Sequence, residues 1–440
     1  MRAKRYWVLT VCLLIFLIIP SAGCSLLAEK APFGLSVAEV PREISPSVDA
    51  DLLDQQVNAN NDFAFDLYQS LRLEDGNLVY SPYSISTALA MVYAGARGET
   101  EAQMSQALHY VLPQEQLHPV FNLLDQTLTA LGDSDDDFQL HIANSLWGQD
   151  EYPFLPDFLD LLARNYGAEI HLVDFTSSRD REAARQAINA WVSQQTNNRI
   201  KNLLAEGSLS EETRLVLVNA IYTKGKWSMP FENDGDYPFT LLDGQQVNVP
   251  TMLRRSNTDY YLGNGCQVVV LPYESYNQRS RAEMIIVMPD PGTFVEFEQS
   301  FDQFALDRIL YWLQRDIVHL YIPGFEFDYK LDLSATLAGM GMKEAFDPFG
   351  ADLSGMYDQS SVPFNLAISN VIHQAHVLVD DEGTEAWAAT GIIVTEVIEG
   401  RGDMDEPLEI HIDHPFIFLI RDAATGSILF MGRVLDPRSP

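Results

Sequence analysis

Cysteine is nearly absent, with only Cys12, Cys24 and Cys266 in 440 residues. So few thiols in an export-bound chain exclude a disulfide framework. Cys12 lies in the leader, and Cys266 has no obvious partner and reads as a buried small hydrophobe. Positive charge is the second shortage: 28 Lys and Arg face 62 Asp and Glu, a formal net charge of −34. The first 23 residues carry Arg2, Lys4 and Arg5 and no acid, so the remainder is more acidic still. Such a body repels nucleic acid and anionic lipid and can attract a basic partner. Residues 98–163 contain no Lys or Arg at all. Catalytic signatures are missing too. There is no G-x-S-x-G elbow, no H-E-x-x-H, no phosphate-cradling glycine loop and no C-x-x-C. His411 and His414 are three apart, but the alternation of Ile410 and Ile412 makes them strand residues rather than metal ligands. Serines and histidines are plentiful enough for a triad, yet no pattern points to one.

What is present begins with an export signal. A basic start is followed by an apolar run, Val8 to Ile19, too short for an ordinary transmembrane helix. Ser21-Ala22-Gly23-Cys24 then resembles a bacterial lipobox, although Ser21 departs from the usual leucine. The expected organisation is a lipoprotein-type signal peptide over 1–23, a lipidated flexible tether over 24–55 and a folded domain over 56–440. Plain secretion is the alternative to a membrane anchor at Cys24. Pro32, Gly34, Pro41 and Pro46 interrupt the tether. In the body, Phe63, Leu67, Tyr68 and Leu71 recur at helical spacing, Ser81-Pro82 opens a second helix, and further helices are expected over 121–131 and 182–204. Apolar runs at 215–218, 268–271, 284–288 and 318–322, then at 376–380, 408–412, 416–420 and 428–434, read as strands. Helices dominate the first half and strands the second, which predicts an α+β domain.

The most informative segment starts at Gly383. Thr384-Glu385-Ala386-Trp387-Ala388-Ala389-Thr390 is followed by the strand-forming run Gly391 to Ile398. Taken as a strand, Thr384, Ala386, Ala388 and Thr390 line one face, all small and uncharged. Glu385, Trp387 and Ala389 line the other. A segment that slides between two existing strands over a packed core needs this division. A surface loop with an alanine bias, or a short helix, is the competing reading of the same residues.

Residues 383–390 resemble the hinge of the serpins, whose reactive loop inserts into a β-sheet. The resemblance runs from about Asn58 to Pro437. It includes Ser81-Pro82-Tyr83-Ser84-Ile85, Asn144-Ser145-Leu146-Trp147, Leu217 to Tyr222 with Lys224-Gly225-Lys226-Trp227, His414-Pro415-Phe416 and Phe430 to Val434. It implies a serpin fold of about nine helices and three β-sheets with an exposed reactive loop. It also implies a suicide-type inhibitor of serine, or alternatively cysteine, endopeptidases rather than an enzyme. In such a mechanism a protease forms an acyl-enzyme with the loop, and the freed loop inserts and distorts the protease.

Family spacing puts the scissile bond at Val397–Ile398, with Glu396 or Ile398 nominated by one-residue shifts. The insertable span measures about 46 Å at roughly 3.3 Å per residue. A valine before the cut suits an elastase-like or subtilisin-like protease. Arg401 lies too far along for the cut, and Arg401-Gly402-Asp403 reads as a chance motif. Ser81, Ser84, Asn219 and His373 match the family's polar cluster under the central sheet, and Trp227 matches the tryptophan where insertion begins. No metal and no cofactor are expected. The lack of basic residues over 98–163 excludes a heparin-type polyanion. The expected state is a monomer. Asp381 stands where glutamate is usual and Trp387 where alanine is usual. The rival is a non-inhibitory serpin serving as a binding or chaperone-like protein, and such relatives often carry charge or proline on the inner face of the hinge.

Overall fold

The computed structural model describes residues 34–36, 38, 40–129, 138–274, 282–363, 365–384 and 407–439. In chain order its elements are β1 (Gly34–Ser36), α1 (Ala50–Leu71), β2 (Leu78–Tyr80), α2 (Pro82–Tyr93), α3 (Gly98–Ala107), α4 (Gln114–Thr129), β3 (Gln139–Gln149), α5 (Pro156–Tyr166), β4 (Ile170–Val173), α6 (Ser178–Gln195), β5 (Leu215–Lys226), β6 (Glu232–Thr240), β7 (Gln246–Gly263), β8 (Cys266–Pro272), β9 (Ala282–Pro289), α7 (Phe294–Ser300), α8 (Gln303–Tyr311), β10 (Gln314–Pro323), β11 (Phe325–Asp332), α9 (Ser334–Gly339), β12 (Asn370–Val379), β13 (Gly383–Thr384), β14 (Leu408–His411), β15 (Phe416–Asp422) and β16 (Ile428–Val434).

Local chemistry explains several boundaries. Asp49 caps α1 by accepting the Asp51 N–H, so the helix starts at Ala50, ahead of the Phe63 where helical spacing becomes visible. Ser81 caps α2 in the same way through Ser84, with Pro82 in the first turn, where its missing N–H costs least. The stretch expected as a tether thus contributes a strand, β1, and the opening residues of α1, Ala50 to Gln55. The expected strands are all present and mostly longer, because buried apolar runs mark only their middles.

Hydrogen bonding joins the strands into two networks. The first is a seven-stranded sheet in the order β1-β4-β3-β5-β13-β12-β11. Its central strand β5 has its first nine residues buried, as a strand covered on both faces must. On one face α2 packs against it. On the other, Ile188 and Val192 of α6 pack with Trp147, Val216, Val218, Ala220 and Ile372. The second network has nine strands, and β7 is its shared member. That strand pairs with β6 over 246–253, with β10 over 251–260 and with β8 over 259–263. One wing is therefore β6, β7, β10 and β14, and the other runs β8-β9-β15-β16-β2. Counted by wings, the α+β body holds three sheets, and the described residues hold nine α-helices. Cys266 is buried in β8, where burial pushes its thiol up to about 11. This thiol behaves as an apolar filler rather than a nucleophile.

Candidate functional site

Strand β12 ends at Val379, and the chain reverses through Asp380–Glu382 into β13. The reversal is closed by Asp380, whose backbone N–H donates to the Gly383 carbonyl at 2.9 Å. Its side-chain Oδ1 accepts the Glu382 and Gly383 N–H groups at 3.0 Å each. Burial pushes this carboxyl above its ordinary range, against the pull of those two donors. Aromatic residues hold the turn from outside. The Trp227 indole N–H donates to the Asp380 carbonyl (3.0 Å), its backbone N–H to the Glu382 carbonyl (3.0 Å), and the Phe231 N–H to the Asp381 carbonyl (2.8 Å).

The two residues of β13 lie between β12 and β5, antiparallel to both. Thr384 pairs with Val379 on one side and Gly225 on the other, and Gly383 pairs with Lys226. The approach is too close for a side chain at 383, since a Cβ there would collide with the Gly225 carbonyl and sit 2.8 Å from the Lys226 Cα. Thr384 is fully buried, and its hydroxyl meets the Tyr273 hydroxyl at 2.7 Å. Tyr273 stacks on Trp227 with ring centroids 4.7 Å apart, which gives the hinge a rigid aromatic floor. Below β13 the gap is closed. Strands β5 and β12 pair directly and in parallel, from Asn370 opposite Val216 to His376 opposite Tyr222.

Beneath that closed ladder lies a polar cluster. His373 sits opposite Asn219 on β12 and β5, and Asn219 sits opposite Asn144 on β3. His373 Nδ1 meets Asn219 Oδ1, while its Nε2 accepts the Ser81 N–H at 3.2 Å. That acceptance fixes the tautomer with the proton on Nδ1. The Asn219 amide then donates to Ser84 Oγ (2.5 Å) and to Asn144 Oδ1. Ser81, Ser84, Asn219 and His373, nominated from sequence, are brought together. Asn144 is the member that the cluster assignment missed, because its place opposite Asn219 is set by the register of β3 on β5. Tyr273 was also missed. Nothing local marks it, because its role comes from a partner 111 residues away.

Burial pulls the His373 ring down to about 3 and the His118 ring, on α4, also to about 3. Each binds a proton more readily when unfolded, so stability is fully present above pH 6.5 and falls as pH drops toward 3. Each ring costs about 1.4 kcal/mol per pH unit in that window. Between pH 7.5 and pH 5 the two together should cost about 4 kcal/mol. His414 opposes them in part. Burial lowers its affinity for a proton, but Asp413 and the Pro289 carbonyl outweigh this and raise it. A urea midpoint that stays level between these pH values would mean that the buried rings take up protons without opening the fold.

Glu385, Ala386, Trp387, Ala388, Ala389, Thr390, Val397, Ile398 and Cys24 lie outside the described residues. His411 stacks on Tyr321, and His414 Nε2 donates to the Pro289 carbonyl, so the structure does not pair them as ligands. Among the described residues no three His, Cys, Asp or Glu side chains are grouped to hold a metal ion.

Comparison with known proteins agrees with this geometry. Residues 58–437 match the model of the family described as serpin (serine protease inhibitor). A leukocyte elastase inhibitor of Xenopus laevis is 39% identical over 386 residues, covering 85% of this chain and 97% of its own. An uncharacterized serpin-like protein of Methanosarcina acetivorans is 35% identical over 382 residues, covering 86% of this chain and 85% of its own. The Arabidopsis serpin AtSerpin1, in its native stressed conformation, superposes with a TM-score of 0.77 at 28% identity, over 89% of this chain and 100% of that one. With the match spanning almost the whole folded body, the chain belongs to the serpin family.

Proposed function

We propose that the chain is an irreversible, suicide-type inhibitor of serine, or cysteine, endopeptidases. The observation that carries this reading is β13, because the first two residues of the loop already occupy the mouth between β5 and β12, antiparallel to both. In this reading the protease nucleophile attacks the Val397 carbonyl. The peptide bond breaks, Ile398 leaves as a free amine, and Val397 remains esterified to the protease. The released strand continues the course of β13 downward, with Ala386, Ala388 and Thr390 following Thr384 onto the inner face. About ten residues forming two new ladders gain on the order of 10 kcal/mol, enough to offset distortion of a captured protease. The relative named as an elastase inhibitor supports a target that accepts a small apolar residue such as Val397. The small, uncharged inner face of the hinge weighs against a chaperone-like or carrier role.

Lipidation at Cys24, with the protein held on the extracytoplasmic face of a membrane, belongs to the same proposal and rests on the N-terminal sequence. No helix among the described residues is long and apolar enough to cross a membrane. Palmitate labelling that persists in a Cys24→Ser variant would remove the anchor from the proposal.

The inhibitory reading is tested by incubating the protein with elastase-like, subtilisin-like and trypsin-like proteases. The expected result is a covalent adduct that survives SDS with the first two classes, together with a C-terminal fragment beginning at Ile398. Clean cleavage without adduct across the panel would overturn inhibition and leave the non-inhibitory alternative.

A further inference from the structure

The segment ahead of α1 is bound along the edge of the sheet that must open. Strand β1 pairs antiparallel with β4, Gly34 opposite Leu172 and Ser36 opposite Ile170. The chain then crosses to the helices. The Glu43 N–H donates to the Arg164 carbonyl at the end of α5 (2.9 Å). The Glu43 carbonyl accepts from Asn122 (2.8 Å) and Gln126 (2.9 Å), both on α4. Arg42 lies between these helices, its Nε donating to Asn122 Oδ1 at 3.0 Å and its Nη2 pairing with Asp125 at 2.5 Å. Asn122 is fully buried, so its amide spends its hydrogen bonds on this crossing rather than on water. Val48, Leu52 and Leu53 then pack against the main core as the chain enters α1.

The placement matters because β4, β3 and β5 lie on one side of the closed ladder and β12 and β11 on the other. A strand inserted between β5 and β12 must move one block away from the other. The chain from β1 to α1 ties the outer edge of the first block to the helical layer and to the core.

We propose that residues 34–48 are a strap that restrains opening of the seven-stranded sheet and so holds the uncleaved loop out of it. The proposal rests on the loop-insertion reading above, and the test separates the two. A fluorescent peptide copying Thr384 to Val397 is offered to the intact protein, and its uptake is followed by gel filtration. The peptide competes for the gap without any protease.

Arg42→Ala should take up peptide about fivefold faster than the unaltered chain, the size expected from losing one half-buried, charge-assisted contact. The exchange Arg42→Asp with Asp125→Arg should recover part of the slow rate. Arg438→Ala, which breaks the exposed pair with Asp436, should leave the rate unchanged and so controls for general loosening. If Arg42→Ala misfolds, Asp125→Asn weakens the same contact without changing its shape. Uptake at the unaltered rate in the Arg42 and Asp125 variants would overturn the strap while leaving insertion intact. No uptake by any folded variant would overturn insertion, and the strap with it.

Discussion

Thr384→Arg should yield a folded protein that is cut by its protease and lets it go. The native site of this side chain is closed, since Thr384 is fully buried and its hydroxyl touches Tyr273 at 2.7 Å. A guanidinium there would enter a pocket floored by the stacked Trp227 and Tyr273 rings. Burying an unpaired charge costs several kcal/mol. Among the described residues β13 holds two between the strands, and withdrawing them lets the variant avoid that cost while the body stays folded. During the proposed inhibition it cannot avoid it. On that mechanism insertion races hydrolysis of the acyl-enzyme, and each 1.4 kcal/mol added to the insertion barrier slows insertion tenfold. A penalty of about 4 kcal/mol therefore slows insertion roughly a thousandfold, and hydrolysis wins. The ratio of SDS-stable adduct to cleaved inhibitor should fall by more than tenfold, while Thr384→Ser keeps the ratio of the unaltered protein. An undiminished adduct yield in the arginine variant would show that burial of residue 384 is not needed for trapping.

Asn219→Ala should be the most damaging single change in the polar cluster. Its amide serves His373, Ser84 and Asn144 at once, across β12, α2 and β3. Alanine leaves the His373 Nδ1–H, on a fully buried ring, and the half-buried Asn144 carbonyl oxygen without their main partners. Each buried orphan costs about 1–3 kcal/mol, so a loss of about 4 kcal/mol is expected. At roughly 2.1 cal/mol/K per residue, a body of this size has an unfolding entropy of about 0.8 kcal/mol/K. The midpoint should then fall by about 5 °C, read by circular dichroism at fixed scan rate. Asn248→Ala, on the exposed face of β7, should stay within about 0.5 kcal/mol of the parent. If the two variants melt together, the cluster is held by its neighbours rather than by Asn219.

How much of this could be read in advance depends on the range of the interaction. The inward place of Thr384 is visible because strand parity is a two-residue period, while Ala386, Ala388 and Thr390 of the same alternation lie outside the described residues. Strands such as Val268–Leu271 and Met284–Met288 are visible because a buried strand is an uninterrupted apolar run. The partners of those residues are not visible. Tyr273 under Thr384 and Asn144 beside Asn219 are set by the register of strands far apart in sequence. The segment around Pro41 and Pro46 shows why composition misleads there. Proline excludes regular hydrogen bonding but not docking, and Glu43 and Arg42 bond between and beside them to helices about eighty residues away. The polar cluster was assigned from resemblance, since a lone histidine on an apolar strand carries no local mark of its role.

The direct ladder between β5 and β12 comprises seven pairs, and His373 opposite Asn219 is the middle one. In the proposed insertion, a strand arriving from β13 would meet this ladder at its His376 end, and the sheet would part like a zip fastener, one rung ahead of the slider. The hardest rung would then come at mid-travel rather than at the start. A loop that had passed it would run on through the apolar rungs at Ile372 and Val371, whereas one that had not could still be pushed back. On that mechanism the fold would set its point of no return halfway down the sheet, after the bait had been taken and before a captured enzyme had crossed.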